Sequence, residues 1–141
     1  MTEQVTEQVT ERRTPRRPLI VIGTVIVSVV VNLIIYAVGR AAGGDFRFTN
    51  GGASMEVDAL TVVGFTIVPL ILGMTAAALL SLKWRWVTAV ALVVGPALAL
   101  GSIAVMTLPT DFDAASKATL ALCHVALVPV MVTGLLALRR A

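Results

Sequence analysis

Four stretches of this chain, residues 18–39, 59–82, 84–108 and 115–138, run through their centres without a charged side chain. A bilayer core about 30 Å thick is crossed by around 20 apolar residues of helix, so each run is long enough to span it. Hydrocarbon offers no partners to backbone N–H and C=O groups, and each run must close its hydrogen bonds within itself as a helix. The fold class that follows is an all-α membrane protein, an antiparallel four-helix transmembrane bundle. Composition agrees: 57% of the 141 residues are hydrophobic and 13% charged, against roughly 45 to 50% apolar in a soluble domain.

Residues 1–17 read as a tail and residues 18–141 as one transmembrane domain. The tail opens with TEQVTEQVTE, residues 2–11, which has no apolar face to bury and is expected to be a disordered cytoplasmic segment. Arg12, Arg13, Arg16 and Arg17 follow. The first run exceeds the roughly 7 to 15 residues of a signal-peptide core and has no small-residue cleavage site after it, so it reads as a retained span. Pro15 and Pro18 flank the second arginine pair, which does not fit a twin-arginine export motif, and the arginines read as topological.

Lys and Arg distribute eight against three. The tail, Lys83, Arg85, Arg139 and Arg140 fall on one side, and Arg40, Arg47 and Lys117 on the other. Basic residues in short loops mark the cytoplasmic face, so both termini and the second connection are expected there, in the plasma membrane. In KWRW, residues 83–86, the tryptophans sit at headgroup level while Lys83 and Arg85 snorkel. With the bases placed where threading needs them, no nucleic-acid role is expected despite the net charge of +3.

The outer loop DFRFTNGGASMEV, residues 45–57, contains Asn50 and Gly51, residue types that tolerate the backbone angles of a tight turn. Two readings stay open: a small extracellular β-hairpin between helices 1 and 2, or an irregular loop with Phe46 and Phe48 dipping into the interface. In TLPTDFDAASK, residues 107–117, Thr110 and Asp113 have the spacing of a capping box, and Asp113 and Lys117 that of an ion pair. Gly73 with Ala77, and Ala97 with Gly101, have the small-xxx-small spacing that permits close helix approach. Pro69, Pro96 and Pro129 lie near the middles of the last three runs, where neighbouring helices must satisfy the freed carbonyls.

The chemistry of several function classes is missing. One cysteine, Cys123, and one histidine, His124, build neither a thiol pair nor a bis-histidine haem site. No cluster has metal-ligand spacing, and no nucleophile elbow or phosphate-cradling loop occurs. None of the eight acids lies within a span, which removes the carboxylate that a proton-coupled small exporter needs. The expectation is a non-enzymatic accessory or assembly protein of the cell envelope, with no cofactor and with lipid, other membrane proteins or itself as partners. The alternative is a small transporter or channel subunit with an outward-facing polar pocket.

Within the first span, Thr24, Ser28, Asn32, Tyr36 and Arg40 recur every fourth residue and so form one stripe on a helix. At about 1.5 Å per residue, Asn32 falls at the height of His124 on the fourth helix, with Thr66 and Ser102 slightly further out. Polar groups facing lipid are costly, so Asn32, Thr66, Ser102 and His124 are expected to form one inward layer, with Tyr36 and Arg40 above it. In that layer Asn32 and His124 are expected to meet, directly or through water, as interhelical glue or beneath an outward-opening ligand pocket.

A resemblance extends over residues 18–138. The arginine-rich tail, VNLIIYAVGR at residues 31–40, the Gly-, Phe- and Thr-rich loop, VVGFTIVPLILG at 62–73 and TLALCHVALVPV at 119–130 are similar to a family of small actinobacterial four-helix membrane proteins of unknown function. The resemblance implies the fold and the membrane location, and it brings no catalytic residues.

Overall fold

A computed structural model describes residues 16–141. Residues 1–15, with most of the expected tail, lie outside the described residues. The elements are α1 (Arg16–Ala41), β1 (Arg47–Asn50), β2 (Ala53–Glu56), α2 (Ala59–Lys83), α3 (Val87–Ser102) and α4 (Ala114–Arg140). α3 continues through a π-helical turn, Ile103–Thr107, closed by the Leu108 N–H donating to the Ile103 carbonyl at 2.9 Å. All four helices are long and apolar enough to cross a membrane, and the protein is a membrane-embedded four-helix bundle. Arg16 and Arg17, two residues ahead of the expected boundary at 18, are already helical, and Arg17 donates to the Ala78 carbonyl and to Ser81 on α2.

The stripe on α1 becomes the centre of the bundle. Val21, Thr24, Val25, Ser28, Asn32, Tyr36 and Gly39 are its buried residues, and α1 makes its broadest contacts with α4 and α2 on either side. Two glycines set the α1–α4 seam. A Cβ at Gly134 would collide with the Thr24 side chain and come within 2.9 Å of the Met74 methyl. One at Gly39 would collide with Thr119, whose Cβ lies 2.8 Å away. The expected small-residue pairs play no such part: nothing approaches within 4 Å of a Cβ built at Gly73 or Gly101. Those glycines lie where the helix surface is open, although Ala77 is buried.

α3 packs mainly on α4 and touches α2 far less, although a short connection joins α2 to α3. Ala91 and Leu92 of α3 pack against a core cluster that Met74, Ala77 and Ala78 of α2 share with Val21, Leu135 and Leu138 of α1 and α4. At the opposite end α2 and α3 stand on either side of a cleft.

A two-stranded antiparallel hairpin covers that end, with Arg47 opposite Glu56 and Asn50 opposite Ala53. Its turn is Gly51–Gly52, at φ +59° and +83°, one residue beyond the expected Asn50–Gly51. Two successive positive φ values match the twist of the strands, and glycine takes them without a Cβ penalty.

Candidate functional site

The hairpin end is held together by side chains from the α1–α2 and α3–α4 connections and the helix ends that flank them. Phe46 is fully buried at φ 56°. Its ring packs on Tyr36 with centroids 4.7 Å apart, and its N–H donates to Ser116 Oγ at 2.8 Å. The Tyr36 hydroxyl donates to the Val57 carbonyl at 3.1 Å. Arg40 donates to the Asp45 carbonyl at 3.0 Å and pairs with Glu56 at 3.2 Å, while Arg47 reaches the same carboxylate at 3.4 Å. Phe48 packs on Phe112 with centroids 5.0 Å apart.

Carboxylates complete the clamp. Asp113 is the N-cap of α4: it accepts from the Ser116 N–H at 2.9 Å, from the Ser116 hydroxyl, and from the Asp45 N–H at 3.3 Å. Asp111 accepts from the Thr49 N–H at 2.8 Å. Asp58 caps α2 through the Thr61 N–H at 2.7 Å and the Thr61 hydroxyl at 2.6 Å. These donors favour the ionised form, so the hydrogen bonds from Ser116 hold Asp113 far below the ordinary carboxylate range, and those from Thr49 and Thr61 lower Asp111 and Asp58. The expected capping box does not form, because Asp113 itself caps while Thr110 donates to the Thr107 carbonyl at 2.7 Å. Lys117 turns to the Leu108 carbonyl at 3.5 Å instead of pairing with Asp113.

Beneath the clamp lies the cleft, about 860 Å³ in volume. Thr66 and Phe65 of α2 form one wall and Val105 to Thr107 of the π turn the other. Asn32, Cys123 and His124 reach it from α1 and α4, and the hairpin and residues 109–112 border it at the membrane-surface end. The π turn matters here because an added residue per turn shifts the helix face, and Thr107 is brought to 2% exposure.

The four residues expected in the polar layer, and the two expected above it, divide as follows. Asn32 Nδ2 donates to Thr66 Oγ1 at 2.9 Å, and the Thr66 hydroxyl in turn donates to the Val62 carbonyl at 2.7 Å. His124 borders the same cleft, but its Nδ1 engages the Leu120 carbonyl at 2.7 Å on its own helix, so the partner of Asn32 is Thr66 and not His124. Ser102 is not in the cleft wall, and its hydroxyl donates to the Ala99 carbonyl at 2.7 Å. From this helix the cleft is lined instead by Val105, Met106 and the buried Thr107 of the π turn, a turn with no sequence signature as plain as a proline. Tyr36 and Arg40 do lie above the layer, engaged with the hairpin.

Two buried atoms on the α1 stripe have no hydrogen-bond partner among the described residues: Ser28 Oγ and Asn32 Oδ1. An unpaired buried acceptor costs about 1–3 kcal/mol. Because the Thr66 hydroxyl already donates to Val62, it can only accept from Asn32, which fixes the amide with Nδ2 towards Thr66. A carbonyl only accepts, so His124 Nδ1 carries a proton in that bond. The hydroxyls of Thr61, Thr107 and Thr110, which both donate and accept, also line the cleft, and no Lys or Arg is among the described residues of its wall.

A family model described as "Family of unknown function (DUF6069)" matches residues 12–141. The chain belongs to this family. The DUF6069 match covers both arginine pairs, all four helices, the hairpin and every cleft residue. Neither a curated protein nor a solved structure matches the chain.

Proposed function

We propose that the protein is a non-enzymatic accessory or assembly protein of the cell envelope, multi-pass in the plasma membrane with both termini cytoplasmic. The observation that carries this reading is the clamped hairpin end. Its carboxylates and arginines are engaged in fixing backbone and one another, which gives a rigid, preorganised surface for another membrane protein or a second copy. Preorganisation favours recognition because little ordering entropy is lost on binding. The eight-to-three bias of Lys and Arg supports the orientation, and the Ala, Val and Arg usage suits a high-GC actinobacterial genome.

The test is affinity purification from native membranes combined with the mass of the detergent-solubilised particle. A stoichiometric complex that is lost on Arg47→Glu, an exposed hairpin change, is the expected result. A lone monomer that leaves native membranes with no partner would contradict it. Reporters fused after Ala141 are expected to be active on the cytoplasmic side only.

The cleft favours a second reading, a small transporter or channel subunit whose outward-facing pocket is lined by Asn32, Thr66 and His124. Solute flux in liposomes carrying the purified protein would establish that reading in place of the first.

A further inference from the structure

A second cavity, a groove of about 930 Å³ along α1 and α2, lies at the end of the bundle away from the hairpin, and its chemistry is sorted by depth. Val21, Val25 and Ala78 form a buried floor, while Ile22 on α1 and Leu79 on α2 form flanks that are 54% and 61% exposed. In a membrane-embedded bundle such flanks face acyl chains. From Arg17 to Ile26 on α1, and from Leu82 back to Ile71 on α2, the groove follows the helices for roughly ten residues, about 15 Å at about 1.5 Å per residue. That is half of a bilayer core about 30 Å thick, the depth of one leaflet.

The mouth of the groove is cationic. Arg16, Arg17 and Arg140 line it, no Asp or Glu does, and Thr75 is the one other polar side chain among the described residues of the lining. The ion pairs among the described residues, Arg40–Glu56 and Arg47–Glu56, lie at the hairpin end. Arg17 is half-buried and held by neutral groups: Nη1 donates to the Ala78 carbonyl at 2.8 Å and to Ser81 Oγ at 2.9 Å, while Nη2 and Nε make no hydrogen bond among the described residues. These bonds fix the guanidinium across the α1–α2 groove and neutralise none of its charge. Threading accounts for arginines beside a span. It does not account for a guanidinium anchored on the neighbouring helix at the head of an apolar groove one leaflet deep, which is complementary to a lipid with an anionic head.

We infer that the groove between α1 and α2 binds one anionic glycerophospholipid of that leaflet, cytoplasmic in the orientation proposed above. Its phosphodiester accepts from Arg17 and pairs with Arg16 and Arg140, and an acyl chain lies over Val21, Val25 and Ala78. An ethanolamine or choline head carries the same phosphate, but its ammonium meets three arginines and no acidic side chain, which selects against it. The inference needs the membrane-embedded fold and neither reading of the function, since lipid binding requires no partner protein and no flux.

The experiment is photocrosslinking of the full chain in phosphatidylcholine nanodiscs doped with a phosphatidylglycerol that carries a diazirine in its acyl chain. Crosslinks are expected to saturate as the probe fraction rises, to gather on residues 18–26 and 71–82, and to be competed about tenfold better by phosphatidylglycerol than by phosphatidylethanolamine. One basic residue near the surface is worth about fivefold in binding, so Arg140→Gln is expected to weaken labelling about fivefold. Arg139→Gln removes the same charge from the same helix end but outside the groove lining, and is expected to change nothing. Ile22→Trp combined with Leu79→Trp narrows the groove from both exposed flanks, where folding is not at stake, and is expected to abolish saturable labelling. Arg17→Gln should weaken it further than Arg140→Gln; if that variant fails to fold, Arg140→Gln and the tryptophan pair decide. Labelling spread evenly over the lipid-facing helices, or equal losses from Arg139→Gln and Arg140→Gln, would overturn the site as diffuse attraction to a basic surface. Equal competition by phosphatidylethanolamine would overturn the head-group assignment, and equal competition by inorganic phosphate would overturn the lipid.

Discussion

The seam between α1 and α4 and the pair α2 and α3 are built from the same apolar vocabulary, yet one is closed and the other splayed. Along the seam, Gly39 meets Thr119 and Gly134 meets Thr24, and both threonines turn their hydroxyls back to carbonyls of their own helices at 2.7 and 2.8 Å. Neither needs a partner across the gap, so the backbones approach until side chain meets glycine. Between α2 and α3 no glycine sets a close approach: Gly64, Gly73 and Gly101 face open space, and Gly95 meets Met131 of α4 instead. In a membrane there is little hydrophobic drive to close such a pair, and association comes from close packing and interhelical hydrogen bonds. Where small residues do not oppose a neighbour, the helices part.

The largest effect is expected on the seam. Gly134→Ala or Gly39→Ala forces a methyl into a filled space and should cost about 1–3 kcal/mol, as overpacking does, read as a lower unfolding midpoint in detergent. Gly73→Ala and Gly101→Ala are the matched controls. They should be neutral, or stabilise by up to about 1 kcal/mol through helix propensity. Equal losses at all four positions would erase the distinction between the two regions.

Much of this contrast was legible in the sequence, and part was not. The four spans and the inward stripe followed from length and a four-residue period, because lipid forces backbone satisfaction and inward polar groups. Which glycines pack closely was not legible: Gly134 has no small residue four positions away, Gly43, four positions after Gly39, lies beyond the end of α1 at Ala41, and the partners of both seam glycines are threonines on a distant segment. The turn was displaced by one residue because Asn50, Gly51 and Gly52 all tolerate positive φ. Phe46 and Ser116, both fully buried at the clamp, gave no signal, since their meeting depends on how two loops dock. The third wall of the cleft comes from the π turn, which brings in Thr107 and leaves Ser102 outside.

A second, smaller effect sharpens the contrast from the hairpin side. Asp113, Asp111 and Asp58 all have lowered folded-state pKa values through the hydrogen bonds they accept. A lowered folded value means the clamp is at full strength above the unfolded carboxylate range, near pH 4, and is lost as pH falls towards the folded values. Amide exchange of residues 46–57 is expected to be unchanged from pH 7 to about 4.5, once intrinsic rates are corrected, and to accelerate below that, while the α1–α4 seam stays protected. Asp113→Asn should bring the acceleration to neutral pH.

The smallest effects concern the polar layer. Thr66→Val removes the acceptor of Asn32 Nδ2 and should cost about 0.6 kcal/mol, the average for such a bond within membranes. Ser102→Ala, which loses only a bond to Ala99 on its own helix, should be indistinguishable from wild type in thermal unfolding. A larger loss at Ser102 than at Thr66 would put the layer back where the sequence alone had placed it.

The splay itself is tested most directly by distances between spin labels in nanodiscs, on a Cys123→Ala background. Labels at Phe65 and Val105 flank the cleft, and labels at Leu80 and Val90 lie near the connection; all four positions are exposed. The expected result is a longer mean distance for the Phe65–Val105 pair than for the Leu80–Val90 pair, shortening no further when the hairpin is intact. Equal distances at the two ends would mean that α2 and α3 run side by side along their whole length, and the open half of the bundle would not exist.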